Sequence, residues 1–578
     1  MSRLLFYVVV AALVVLYFGY VHFFAVNLPF VDDNDLIWSV HEMLYVNQSW
    51  QEQWQEFFRV HNDHILVIPR FVAFMNYLLE GSINFQSLIF FNNVALLGLL
   101  LYFYTSFRKL QLSDWAFLPL VFFYLTPFIY DLTFWSITGI EHLVLNIVVF
   151  EAIHILTDSK KDSIWTLLAA LLFATLATFT NGNGILTFGV GIVLLWIQGR
   201  YRHLAWWSLG MLAVLTLYLF HYKRGQTGSG LDYLLTNVVA SFFVLLGSWA
   251  KVFQISGRNW GEWLMLFVGL GTGAYLLFQT LRRLPFFKKS VSEWPLFYLG
   301  IWLFSLGTIF LIAVARGGSG VVDVLSSRFD LYSLHILTLT YLTLLFYHRK
   351  QQKVIVALGM TLGLLFCFLA YQRFTPQLDN RRRELLADDY NWKNHHKLLA
   401  HVRSERFDDV RIPAYERGVF GSPTLPYSDI EPTLSQPIDS ATVFVKLDLK
   451  IAQDSLKVGK EAFPRIMFDN EDFPFNAKNQ AVGPFLILKA DDNKAYVLPT
   501  FSIEAGKKGF LKGQLYKSGF QARIMNENLR PGRYRIGIVH AQNKENQLQY
   551  SNNVIIVTPQ TVRLLDYSLS GDRLKIDK

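Results

Sequence analysis

The sequence predicts an α-helical polytopic membrane bundle of about eleven spans, followed by a soluble β-sandwich-like domain. Three observations carry that expectation. Of the 578 residues, 52% are hydrophobic, 16% aromatic and only 17% charged, a balance far from that of an average soluble protein. The apolar bias lies before about residue 372, where runs of 17 to 22 residues with few or no charges recur; at ~1.5 Å rise per residue such a run matches a ~30 Å hydrocarbon core. Beyond that point apolar and polar residues alternate in short runs divided by turns, as antiparallel strands require.

The spans are taken in order. The first covers about residues 4–25; it follows a short basic start and is too long for a cleaved signal core, so it is expected to stay in the chain. Residues 26–82 form a long outer segment with helical patterns at Leu36–Tyr45 and Trp50–Val60. The apolar stretch Ile65–Leu79 is short and interrupted by Pro69-Arg70, which places it in the outer interface rather than across the membrane. Further spans follow at about 84–106, 115–130, 138–156, 164–180, 184–198, 204–222, 260–281, 296–315, 330–347 and 353–371. Leu231–Ala250 reads as a re-entrant or interfacial pair in an outer loop.

The net charge of +9 does not indicate nucleic acid, because the basic residues sit in alternate short loops. Arg108 and Lys109, Lys160 and Lys161, Arg200 and Arg202, Arg282 to Lys289, and Arg349 to Lys353 mark one side as cytoplasmic. With an inside start and an odd span count, the C-terminal domain falls outside. Cys367 is the single cysteine, so no disulfide forms within the chain.

The expected domains are a membrane domain at 1–371, a turn-rich connector at 372–438 and a non-cytoplasmic β-rich domain at 439–578. Strand alternation is clearest at Ala441–Lys450, Gly483–Lys489 and Tyr534–His540. Phe473, Phe475 and Tyr496 read as core of that domain rather than as a sugar platform.

Candidate chemistry gathers in the outer loops, where ionisable groups beside a membrane are costly. Asp32 and Asp33, directly after the first span, are a candidate general base and a candidate ligand for a divalent cation such as Mg or Mn, with Asp33 the metal ligand. The bland alternative is that one of them caps the helix near Leu36. His61-Asn62-Asp63-His64 and Arg70 bring imidazole, amide and guanidinium groups suited to a diphosphate, although the two histidines match no zinc signature. Glu141-His142 sits near the outer end of a span, and Asn181 and Asn183 lie in the Gly-rich turn Thr180–Gly184. Arg316 and Arg328 flank the late loop with Gly317, Gly318, Ser319, Gly320 and Asp323; a guanidinium pairs bidentately with phosphate, so these two are the preferred anchors. Lys223-Arg224 is held in reserve. The bland readings are interfacial snorkelling for the arginines, a tight hairpin for the Gly-rich turn and a satisfied buried pair for Glu141-His142.

Taken together, an inside start, one span, an outer loop opening on Asp32-Asp33, many further spans and a trailing outer β domain resemble the GT-C superfamily of membrane glycosyltransferases. The run His61 to Arg70, the turn Thr180–Gly184 and the stretch Arg316 to Phe329 also look like a group of glucosyltransferase-like multipass proteins of bacteria. The resemblance covers about residues 1–371 at the level of architecture. It implies an inverting transfer of sugar from a polyprenyl-phosphate donor to a glycan, lipid or protein acceptor on the outer face, in a multi-pass protein of a bacterial inner membrane with its C-terminal domain periplasmic or extracellular. One departure stands: Asn391-Trp392-Lys393 does not match the signature of the oligosaccharyltransferases, which disfavours transfer to protein asparagine. The rival expectation is a non-enzymatic transporter or scaffold for lipid-linked glycan. Transporters bury their charges near the midplane, whereas these cluster at the outer edge; no span carries a filter-like stripe, which argues against a channel.

Overall fold

The computed structural model describes residues 3–62, 64–158, 163–222, 236–254, 260–282, 293–317, 324–401, 407–438, 444–445, 447–458, 461–473, 484–505, 516–525, 529–542, 545–558 and 562–566. Asp63, Lys160 and Lys161, residues 223–235, 283–292 and 318–323, and Phe475 fall outside them, and with them Lys223-Arg224, the start of Leu231–Ala250 and the centre of the late Gly-rich loop. The chain divides into two compact units: residues 1–375 with 413–421, and residues 376–412 with 422–578.

The first unit is helical. In chain order it contains α1 (Arg3–Phe24), α2 (Asp33–His41), α3 (Trp50–Phe57), α4 (Val67–Glu80), α5 (Phe85–Arg108), α6 (Leu118–Tyr124), α7 (Tyr130–Thr133), α8 (Ser136–Gly139), α9 (Leu145–Thr157), α10 (Ile164–Thr180), α11 (Leu186–Ile197), α12 (Tyr201–His221), α13 (Thr236–Leu246), α14 (Trp260–Leu281), α15 (Glu293–Arg316), α16 (Asp330–Tyr347) and the first half of α17 (Gln352–His395). Among the described residues, nine helices are long and apolar enough to cross a membrane, and Ile164–Thr180, Gly182–Ile197 and Asn237–Leu246 are shorter apolar helices. They match the expected segments closely, but the 115–130 segment is broken. Thr126-Pro127 interrupts it, the Thr126 hydroxyl capping the turn that Pro127 opens, because proline has no N–H for the preceding helix.

The loop between α1 and α5 is built by local signals. Ser49 and Glu52 form a reciprocal capping box at the start of α3. Pro69 does not interrupt α4: it sits in the first turn, where an amide has no intrahelical partner to lose. A two-residue hairpin, β1 (Val60–His61) with β2 (His64–Ile65), pairs His61 with His64; the alternation is too short to register in the sequence. Asn62 turns it with φ +50, a left-handed conformation that asparagine tolerates.

In the second unit, β3 (Phe444–Val445), β4 (Lys450–Val458), β5 (Glu461–Asn470), β6 (Pro484–Ala490), β7 (Ala495–Glu504), β8 (Tyr516–Met525), β9 (Gly532–Gln542), β10 (Glu545–Val557) and β11 (Val562–Asp566) form one sheet in the order β11-β10-β9-β6-β7-β8-β5-β4, with β3 beside β10. Every neighbouring pair is antiparallel except β3 with β10. The sheet curls: Ile466 and Phe468 of β5 share one core with Ile536 and Ile538 of β9 and Ile555 of β10, and Tyr496 and partly buried Phe473 join it. The bend is at β7, whose residues 495–499 pair with β6 and 500–504 with β8.

The edge of β7 left open by that bend is filled by a helix. Asn391 donates to the Val497 carbonyl (2.7 Å) and accepts from its amide (2.9 Å), and Arg383 donates to the Thr500 carbonyl (3.1 Å). This is why residues 376–412, expected in a connector, belong with the sheet: α17 runs unbroken to His395 and its second half completes the strand edge. Two alternating runs also change. The described part of 441–450 holds the short β3 and the first residue of β4, with non-strand residues 447–449 between them, rather than one strand, and β6 is buried on both faces.

Candidate functional site

The site forms where α2, the β1–β2 hairpin, the start of α9 and the start of α16 meet. The chain leaves α1 and turns at Val31, whose φ of +44 is unusual for a β-branched residue. Its carbonyl accepts from the Asn34 side chain at 2.7 Å, and Asp32 then stands at the N-cap position of α2. The Asp32 carboxylate makes no capping bond, so the bland reading of this residue fails on geometry. It is one-third exposed and lies 3.8 Å from His61 Nε2.

Asp33 is different. It is 1% exposed; its Oδ1 accepts from the Ile137 amide (2.8 Å) and its Oδ2 from the Phe30 amide (3.0 Å). Burial pushes its carboxyl up to about 7, against the pull of those two amides. Both oxygens are therefore spent on tying α2 to α8, and the expectation of Asp33 as base or metal ligand is corrected. Among the described residues no group of three or more His, Cys, Asp or Glu side chains comes together.

Arg70 is likewise structural. It is fully buried; Nε and Nη2 donate to Asp35 Oδ2 (3.2 and 3.0 Å), and Nη1 donates to the carbonyls of Glu56, Phe57 and Arg59. A guanidinium with every arm engaged has nothing left for a phosphate, so this expectation too is corrected. Its partner Asp35 also accepts from Arg59 (2.7 Å) and faces His61 Nδ1 (3.1 Å). Although burial opposes it, the charges of Arg70, Arg59 and His61 hold Asp35 well below the usual carboxylate range.

That carboxylate orients His61. Burial alone would lower the imidazole, but Asp35 and Asp32 outweigh it and raise His61 above its ordinary value. Asn62 steadies the outer nitrogen, its Nδ2 lying 3.1 Å from His61 Nε2.

Glu141 and His142 lie in a π-helical turn, Ile140–Val144, between α8 and α9, a widening that often marks functional positions. The Glu141 carboxyl stands in the fields of His61, Asp32, Arg328 and Asp35. His142 faces Arg328 and His64, and its Nδ1 lies 2.9 Å from the Tyr332 hydroxyl. Asn183 donates to that hydroxyl (3.0 Å) and to Thr308 (3.2 Å), while its own Oδ1 is buried without a partner. His64 rests on Gly182 so closely that a Cβ there would fall 2.6 Å from its Nδ1. Asn181 serves the turn itself, its carbonyl accepting from the Gly184 amide.

Arg328 sits in the short turn Ser327–Phe329 before α16. Its guanidinium lies 5.9 Å from the Trp135 ring and 4.9 Å from Phe329, and Arg316 approaches the same Phe329 ring at 6.0 Å. Among the described residues Arg328 has no hydrogen bond or ion pair, and its Nε is buried without a partner. The turn that carries it is anchored from beneath: Ser327 Oγ accepts from the Asp131 amide (3.0 Å), and Asp330 pairs with Lys251 and accepts from Ser248 at 2.6 Å.

The structure thus brings Asp32, His61, His64, Glu141, His142, Asn183 and Arg328 to one place, with Arg316 nearby. Asp33 and Arg70 serve the frame, and Asn181 lends its backbone carbonyl to the turn. Sequence reading missed Asp35, Arg59 and Tyr332: Asp35 lay inside the acidic cluster without an assigned role, and Tyr332 is one polar tip in an apolar run. Compared with known proteins, the chain matches no family model, and no curated protein and no solved structure is similar to it.

Proposed function

We propose that this chain is an integral membrane glycosyltransferase that moves a sugar from a polyprenyl-phosphate donor to an envelope glycan, lipid or other acceptor on the non-cytoplasmic face. The reading is supported above all by one observation: Asp32 and His61 share a field with Glu141 and with Arg328, a half-buried guanidinium that makes no hydrogen bond or close ion pair among the described residues. A guanidinium partly withdrawn from water, with one nitrogen buried and unbonded, gains from an anion that completes it.

In this mechanism Arg328 binds the donor phosphate, with Arg316 at its flank. Asp32 takes the proton from the acceptor hydroxyl, and the freed oxygen attacks the anomeric carbon. The bond from that carbon to the phosphate oxygen breaks, and polyprenyl phosphate leaves with both electrons, paired to Arg328. His61, oriented by Asp35, faces the Asp32 carboxylate at 3.8 Å on the side away from the acceptor. Single displacement inverts the anomeric centre.

The test uses the full chain in lipid nanodiscs with a polyprenyl phosphosugar and membrane acceptor. Asp32→Asn is expected to cut turnover by ~10²–10⁴ while donor binding persists, and Arg328→Ala to raise KM for the donor. A product of retained configuration by NMR would exclude the mechanism. A carrier or scaffold would instead bind donor and tolerate Asp32→Asn without loss of any activity.

A further inference from the structure

The stretch before α14 is too short to cross a membrane, yet it is packed into the helical unit. α13 has 11 residues, about half of the ~20 that a span needs. It gives way at Gly247, where a Cβ would fall 2.0 Å from the Met265 carbonyl of α14, and a 3₁₀ turn, Ser248–Phe253, follows. Irregular backbone buried among helices needs partners for its polar groups, and the neighbouring helices supply them. Ser333 of α16 donates to the Leu246 carbonyl (3.3 Å) and accepts from the Trp249 amide (2.8 Å). Arg373 of α17 donates to the carbonyls of Lys251 (2.6 Å) and Gln254 (3.0 Å).

So held, the turn presents Lys251. Its ammonium pairs with Asp330, which is fully buried and also accepts from Ser248 at 2.6 Å, and it reaches the Leu325 carbonyl at 3.4 Å. Leu325 and Asp330 stand on either side of Arg328 in the chain, so one amine grips the backbone before the guanidinium and the carboxylate after it. Asp330 lies two residues beyond Arg328; at ~100–120° per residue the two side chains leave roughly opposite sides of the turn. Drawing Asp330 inward therefore points Arg328 the other way, to the Trp135 and Phe329 rings. A buried ion pair is a poor source of stability, since apolar residues of like volume often serve as well or better. Its presence here calls for another role.

We infer that Lys251 is a positioning residue: acting through Asp330 and the Leu325 carbonyl, it sets the turn that aims Arg328 at the donor phosphate. The inference rests on the proposed transferase reading, and it gives the short α13 and the turn after it a part in donor binding.

The test uses the full chain in nanodiscs. Removing one partner would strand the other charge, so Lys251→Met and Asp330→Leu are made together, which keeps the space filled and apolar. The double variant is expected to unfold close to the wild type and to raise donor KM on the order of tenfold, as for the loss of one hydrogen bond to a charged group, with kcat little changed. Lys251→Arg, which keeps a cation on Asp330, is expected to stay near the wild type. A readout independent of transfer is phenylglyoxal modification of Arg328, followed by peptide mass spectrometry against rising inorganic phosphate; the phosphate concentration that protects Arg328 should rise by a similar factor in the double variant. A folded double variant with wild-type donor KM and wild-type protection overturns the inference and leaves the transferase. Weaker protection in the double variant, with no transfer from any donor by the wild type, removes the transferase and leaves an anion site set by Lys251. If the double variant does not fold, Arg373→Gln, which releases the Lys251 carbonyl from a half-buried position, carries the test: a higher donor KM and weaker protection are expected, and wild-type values of both overturn the inference.

Discussion

Asp32 and Asp33 are adjacent in sequence, yet the structure gives them opposite duties, and substituting each in turn separates the two. Asp33 accepts from the Ile137 and Phe30 amides while 1% exposed. Asp33→Ala leaves both donors without partners, at ~1–3 kcal/mol each, so the protein is expected to lose about 4 kcal/mol. Asp33→Asn keeps one acceptor and should lose about 2 kcal/mol on the same reckoning. Among the described residues the Asp32 carboxylate has only His61 within ion-pair reach, at 3.8 Å, and it is one-third exposed, so Asp32→Asn is expected to cost under ~1 kcal/mol. The assay pairs thermal unfolding of the detergent-purified protein with turnover of a polyprenyl phosphosugar. Asp33→Ala should unfold several degrees earlier; Asp32→Asn should unfold with the wild type and fail to turn over. If Asp32→Asn proved as unstable as Asp33→Ala, or if Asp33→Ala kept full stability, the division of labour would be refuted.

Other outcomes follow from the same geometry. Arg70→Met should destabilise by ~3–5 kcal/mol because it leaves Asp35 Oδ2 and the carbonyls of Glu56, Phe57 and Arg59 without their buried donor, yet leave donor affinity unchanged in whatever fraction remains folded; scanning calorimetry and equilibrium binding check the two parts. Stability should depend on pH in opposed windows. Asp33, raised to about 7, makes the folded state bind more protons, so its share of stability falls as pH climbs from about 3.8 to about 7. Asp35, depressed, contributes above 3.8 and loses its share as pH drops. His61, raised, contributes fully below 6.5 and is lost as pH rises through its folded value. Unfolding midpoints of Asp33→Ala and His61→Asn across pH 3 to 9 should each flatten only its own window. Gly182→Ala drives a methyl against His64 and is expected to cost ~1–3 kcal/mol by overpacking, with a shift of the His64 NMR signal as the local readout.

Much of this was legible because membrane chemistry is written in long runs. Helices such as α1, α5 and α14 announce themselves by twenty apolar residues, and their ends by Arg3 or Arg108. Convergence of Asp32, His61, Glu141 and Arg328 was foreseeable for a simpler reason, since polar groups at one end of a bundle have little room to avoid each other. What sequence could not reveal is which charges were already spoken for. Arg70 and Arg328 look alike as letters; only the fold shows the first embraced by three carbonyls and Asp35, the second resting on two aromatic rings with no hydrogen bond among the described residues. The reach of α17 was hidden too, because Asn391 and Arg383 serve a strand more than a hundred residues away.

The left-handed turn at Val31 has a further consequence. A branched side chain held there costs ~1–3 kcal/mol, a burden the protein would shed with glycine at that position. Val31→Gly should therefore yield a hardier protein whose first acidic residue wanders, and a slower one: toughness and speed would part company at a single backbone angle.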